Sequence, residues 1–94
     1  MIIVSGRIYV RPGRREVFLA ASLEAVAQAR RAAGCVDFVV AADPLEPDRV
    51  NVYELWDSDA ALIAFRGEGP SADLTSEILR ADVQRHQISS SGPP

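Results

Sequence analysis

With 94 residues, 48 % of them hydrophobic and 24 % charged, the chain has the make-up of one globular domain and of neither a disordered nor a fibrous protein. Its net charge of -3 works against phosphate-backbone binding, because non-specific nucleic-acid affinity comes from Lys and Arg neutralising phosphates. One cysteine, Cys35, and one histidine, His86, leave no intrachain disulfide and no zinc ligand set, so a cytoplasmic protein without a metal site is expected.

The N-terminal MIIVSGRIYV is too short to span a membrane and lacks the basic start and cleavage site of a signal peptide. Its β-branched residues predict a first strand from Ile2 to Val10, stopped by Arg11-Pro12-Gly13. From Arg14 to Ala33, Phe18, Leu19, Ala21, Leu23, Val26 and Ala29 recur at helical spacing. Arg30 and Arg31 suit the carbonyl end of that helix, and Gly34 is placed for a left-handed cap. Cys35 to Ala42 reads as a second strand and Arg49 to Trp56 as a third, joined through Asp43-Pro44-Leu45-Glu46-Pro47-Asp48 as a hairpin.

In the third strand, period two puts Val50, Val52, Glu54 and Trp56 on one face and Asn51, Tyr53 and Leu55 on the other. Both faces are largely apolar, so both need cover: helices on one, a second subunit on the other. Asp57 or Ser58 can cap a short helix from Ala60 to Arg66, with Asp59 suited to its positive end. Gly67-Glu68-Gly69-Pro70 interrupts it, a further helix would carry Leu74, Ile78 and Leu79, and Val83 to Ile88 would be a last strand. The order β-α-β-β-α-α-β is that of an α+β, ferredoxin-like fold: a four-stranded antiparallel sheet with helices on one face. One domain, 1–94, is expected, with 89–94 a flexible tail. The open face, carrying Tyr53 and Leu55, would leave an apolar patch of several hundred Å2 that a homodimer would cover.

Five side-chain groups carry the candidate chemistry. Trp56 either offers its indole N–H to a ligand or anchors the helices to the sheet. Glu54, on the same face, is either a proton acceptor of raised pKa or a structural partner of Arg7 or Arg85. His86, the single histidine, is the side-chain type most often used as a general base, although its neighbours Arg85 and Gln87 argue for a surface or interface position. Phe18, Phe38 and Phe65 form either an aromatic cavity wall or plain core. Cys35 lacks an activating neighbour and reads as a small buried hydrophobe. Gly67-Glu68-Gly69-Pro70 follows a helix and lacks a Gly-Lys-Ser/Thr ending, so it is a hinge over a pocket and no phosphate loop.

VRPGRREVF leading into the first helix, the helix ending at Gly34, and VYELWDSDAALIAF before a Gly/Pro break together resemble the antibiotic biosynthesis monooxygenase (ABM) superfamily of dimeric α+β barrel proteins. The resemblance covers nearly the whole chain. It implies a homodimer with sheets packed face to face and an apolar pocket between each sheet and its helices. Relatives oxygenate electron-rich aromatic substrates without metal or flavin, degrade haem, or act on small signalling molecules. The resemblance therefore implies a cofactor-independent monooxygenase for a small aromatic or polyketide-like substrate, with Trp56, Glu54 and His86 as candidate catalytic residues. Trp56, Phe65, Phe18, Phe38 and Leu62 would bind the substrate. A non-catalytic dimeric ligand-binding or scaffold protein, and a small isomerase or cyclase-like enzyme, are the alternatives. Val52 stands where the quinone-forming relatives carry Asn, a departure from the oxygenating pattern, and Gly6, Phe65 and Thr75 stand where the haem-degrading relatives carry Asn, Trp and His, a departure that speaks against haem chemistry.

Overall fold

Strand alternation decides which residues lie beneath the helices. A computed structural model of the chain describes residues 1–67 and 76–94. It contains β1 (Ile2–Val10), α1 (Arg15–Arg31), β2 (Cys35–Ala42), β3 (Arg49–Trp56), α2 (Asp59–Gly67) and β4 (Ile78–Gln87). The sheet runs β2-β3-β1-β4 and every neighbouring pair is antiparallel. This is the ferredoxin-like α+β arrangement expected from the element order.

In the register, Ile2 pairs with Trp56, Val4 with Glu54 and Ile8 with Val50, while Phe38 pairs with Glu54 and Val40 with Val52. Paired residues share a face, so these side chains form one layer. Ala29 from α1 and Leu62 from α2, each 0 % exposed, close that layer in a cluster with Ile2, Val4, Phe38 and Trp56. A second cluster, Val10, Phe18 and Val50, seals the other end of the sheet beneath the start of α1.

Two boundaries differ from the sequence reading. Ile78 and Leu79, expected on a further helix, are the first residues of β4, which begins five positions before Val83 because Val10 pairs with Ile78 after a register shift in β1. Ladder pairing along β1 overrides the helical spacing of Leu74, Ile78 and Leu79. Leu74 and most of the Gly/Pro break lie outside the described residues. At the end of α1, Ala32 is already extended (φ -72°, ψ 143°) with its N–H donated to Ala29 O, so Gly34 is a turn residue beyond the helix and not its cap. Gly34 is nevertheless left-handed, with φ 84°. Its carbonyl accepts the Asp57 N–H at 2.8 Å, and a Cβ there would lie 2.4 Å from Ala61 Cβ and 2.6 Å from Asp57 Oδ1. The α1–β2 turn thus touches the start of α2 at a point only glycine fits. α2 itself is capped by Ser58, whose Oγ accepts the Ala61 N–H at 3.2 Å, and Asp59 in its first turn pairs with Arg85 of β4.

The β2–β3 hairpin is braced by charge. Asp43 accepts the N–H groups of Leu45 and Glu46 at 3.0 and 2.9 Å and the Asn51 amide at 2.9 Å, and with Arg49 alongside these hold its carboxyl down at about 2. Arg15 donates to the carbonyls of Asp43, Glu46 and Arg49. Arg14 pairs with Glu77 at 2.9 Å, and Arg11 donates to Ser76 O. All three arginines of the N-terminal basic cluster therefore have partners within the chain.

The open sheet face is divided, where the sequence predicts one broad apolar patch. Ile3, Val39, Tyr53 and Leu55 occupy one part. Elsewhere Arg7 pairs with Asp82 at 3.2 Å and Arg80 lies 4.4 Å above the Tyr9 ring. The apolar area is smaller than the alternation of β3 alone suggests, because β4 brings Arg80, Asp82, Gln84 and His86 to the same face. Among the described residues, no helix is long and apolar enough to cross a membrane.

Gly34→Ala places a methyl group against Ala61 and Asp57 in a left-handed backbone and is expected to cost roughly 2 to 4 kcal/mol in urea unfolding. Gly13→Ala, at φ 77° with nothing within 4 Å, is the control and is expected to cost about 1 kcal/mol.

Candidate functional site

Glu54 and Trp56 sit two residues apart on β3 and so point the same way, under the helices. Trp56 is fully buried and Glu54 is 8 % exposed. Trp56 Nε1 donates to Glu54 Oε1 at 3.0 Å. Burial pushes the Glu54 carboxyl above the usual glutamate range, while the indole N–H and the positive charge of Arg66 pull in the opposite direction and lose. Cys35, opposite Trp56 in the β2–β3 ladder, has its thiol pushed up by burial, by Glu54 and by Asp37, which keeps it protonated and unreactive.

α2 supplies the cover. Leu62 and Phe65 lie one turn apart on its inner face. The Phe65 ring is 5.4 Å from Trp56 at a tilt of 34° and 6.0 Å from Phe38 in an edge-to-face contact. On its other side Phe65 helps to line a cavity of about 390 Å3 between the end of α1 and α2, walled by Ala32, Ala33, Ala61 and Ala64 with exposed Gln28 and Arg31. Alanines at 61 and 64 leave this space because nothing larger projects from that side of α2.

Of the residues singled out in the sequence, Trp56, Glu54, Phe38, Phe65 and Leu62 come together. Phe18 does not: it belongs to the separate cluster with Val10 and Val50. His86 pairs with Ile3 on the opposite face of the sheet, exposed, in a polar hollow with Arg7, Asn51, Tyr53 and Gln84. It cannot serve the same reaction centre as Glu54. The arginines expected to satisfy Glu54 are engaged elsewhere, Arg7 with Asp82 and Arg85 with Asp59. Its partner is Trp56, so the indole N–H is committed to a carboxylate and not held free for a ligand. Sequence reasoning missed Arg66 and the four alanines. The spacing of Ala61 and Ala64 on the short helix was the available signal.

Replacing the donor tests the pair. Trp56→Phe is expected to raise the Glu54 pKa further, read from the carboxyl carbon chemical shift in an NMR titration. Because the folded-state value lies above the ordinary 4.5, the folded chain holds this proton more tightly than the unfolded chain. The stability Glu54 contributes is therefore lost as pH rises from 4.5 through the folded value, and Glu54→Gln should gain on the wild type above pH 4.5 in urea midpoints.

Comparison with known proteins supplies a family. The sequence profile described as antibiotic biosynthesis monooxygenase (ABM) matches residues 1–73. A solved structure from Chloroflexus aurantiacus, described as a candidate antibiotic biosynthesis monooxygenase, superposes with a TM-score of 0.76 at 26 % identity, over 97 % of this chain and 96 % of that one. A Mycobacterium tuberculosis protein superposes with a TM-score of 0.83 at 19 % identity over 98 % of both chains, a likeness of fold alone. In sequence, an uncharacterized protein of Synechocystis sp. is 33 % identical over 61 residues, which are 65 % of this chain and 42 % of that protein.

Proposed function

This chain belongs to the antibiotic biosynthesis monooxygenase family, and from that premise we propose that it oxygenates a small aromatic or polyketide-like phenol without a bound cofactor, with Glu54 as the proton acceptor. The observation that carries this reading is the Glu54–Trp56 pair: a carboxyl of raised pKa, fixed by an indole N–H, among aromatic rings of which one, Phe65, also lines a cavity. A carboxylate in apolar surroundings is a stronger base than one in water. Glu54 takes a proton from the acidic carbon of the substrate, and the resulting carbanion passes one electron to dioxygen. Recombination forms a carbon–oxygen bond as a hydroperoxide, and loss of water leaves a carbonyl. The balance is RH2 + O2 → R=O + H2O, with the substrate as its own reductant. Trp56 is a positioning residue in this scheme, because its N–H aims the carboxylate, and Arg66 is the nearby cation available to developing negative charge.

A second reading, a non-catalytic ligand-binding protein of the same fold, is favoured by one observation: Phe65 packs directly over Trp56. Oxygen uptake with an anthrone separates the two. The wild type is expected to consume oxygen and Glu54→Gln to lose roughly 100- to 10,000-fold, the usual worth of a general base. No uptake across a panel of electron-rich phenols would overturn the monooxygenase reading.

We also propose a homodimer formed through the open sheet face, where Ile3, Val39, Tyr53 and Leu55 would meet their counterparts, in the cytoplasm where Cys35 stays reduced. Light scattering at micromolar concentration is expected to give about twice the 10.2 kDa chain mass, and Leu55→Glu to shift it toward 10.2 kDa. A wild-type mass of 10.2 kDa would overturn the dimer.

A further inference from the structure

We propose that Phe65 is the specificity-determining residue of this chain: its side chain is the partition between the alanine-walled cavity and the Glu54–Trp56 pair, holding the place that a planar aromatic ligand takes. This rests on the reading of Glu54 as the reactive carboxyl.

Phe65 has two environments at once. One side of its ring meets Trp56 at 5.4 Å and Phe38 at 6.0 Å. Phe65 also forms part of the wall of the 390 Å3 cavity, where among the described residues it is the large apolar side chain beside Ala32, Ala33, Ala61 and Ala64. Phe65 is only half-buried, whereas Leu62, one turn earlier, is completely buried and anchors α2. The helix is thus held by Leu62, and in the proposal Phe65 changes rotamer while Leu62 keeps α2 seated.

The shape of this space selects its ligand. Phe65 is tilted by 34° against the Trp56 indole and stands edge-on to Phe38. A flat ring of one or two fused cycles keeps both contacts when the phenyl group swings aside, while a bulky aliphatic ring system keeps neither. The cavity volume is in the lower part of the range for small-molecule sites. The hydroxyl or activated carbon of such a ring, lying over Trp56, is then beside the Glu54 carboxyl that Trp56 holds.

Trp56, the single tryptophan, reports access directly. Phe65→Ala is expected to raise the acrylamide quenching constant of Trp56 several-fold. It should also tighten phenol binding by calorimetry roughly tenfold, since removing the phenyl group joins the alanine-walled hollow to the face of the Trp56 ring. Phe65→Leu is expected to fall between the two. Ala64→Leu, at an exposed position on the cavity wall, should weaken phenol binding while leaving acrylamide quenching as in the wild type. A folded Phe65→Ala with wild-type quenching and wild-type phenol affinity overturns the proposal, as does Ala64→Leu with unchanged phenol affinity. If Phe65→Ala does not fold, Phe65→Leu decides by the same two measurements. None of these readouts needs turnover: absence of oxygen uptake defeats the monooxygenase reading alone, and unchanged quenching defeats the partition alone.

Discussion

The hydrogen bond from Trp56 Nε1 to Glu54 Oε1 is the constraint around which this protein is arranged. A carboxyl placed under two helices loses its water and costs several kcal/mol if nothing replaces it. Here the replacement comes from two positions along the same strand, so the donor and acceptor are fixed by the backbone of β3 and need no long side chain to meet. Trp56 then serves two purposes. Its ring is the largest fully buried side chain of the core, and its N–H satisfies the buried acid beside it. Removing the ring would open a cavity and orphan a carboxyl in one step, which is why stability and chemistry cannot be separated at this residue.

Charge is handled differently on the two faces of the sheet. Beneath the helices stands one carboxyl without an ion pair, tuned by burial. On the open face and in the hairpin, charges are paired: Arg7 with Asp82, Arg49 with Asp43 and Glu46, Arg14 with Glu77. Exposed pairs of this kind add little stability individually. Their effect is to fix geometry, as when Arg15 and Asp43 between them bind the backbone of the Asp43–Arg49 turn and so set the register in which Phe38 lies against Glu54.

The β2–β3 hairpin was legible to the residue, Cys35–Ala42 and Arg49–Trp56, because β-branched runs are bounded there by a glycine, two prolines and a capping Asp-Ser. The shared face of Glu54 and Trp56 followed from strand period alone. What could not be read was partnership across strands. Arg7 and Arg85 are plausible neighbours of Glu54 by sequence, yet Arg7 falls on the opposite face, pairing across β1–β4 with Asp82, and Arg85 reaches out to the start of α2. Strand order and register decide such matters, and no single strand contains them. The same limit explains β4: Ile78 and Leu79 satisfy helical spacing locally, and only the ladder with β1 makes them strand.

α2 is where this rigid frame becomes adjustable. It is nine residues long, and of these Leu62 alone is fully buried. Its start is fixed on three sides, by the Ser58 cap, by the Asp59–Arg85 pair and by the contact of Ala61 with the Gly34 turn. Its second half, from Ile63 to Gly67, is held among the described residues by Phe65, half-buried and packed on Trp56 and Phe38. Local opening begins where buried contacts are fewest. The half-buried end of α2 is therefore the part that covers the buried acid, while the acid itself sits on β3, flanked by β2 and β1. A fixed carboxyl under a half-buried aromatic ring separates the part of a site that must be positioned from the part that must yield, and the division falls between Leu62 and Phe65.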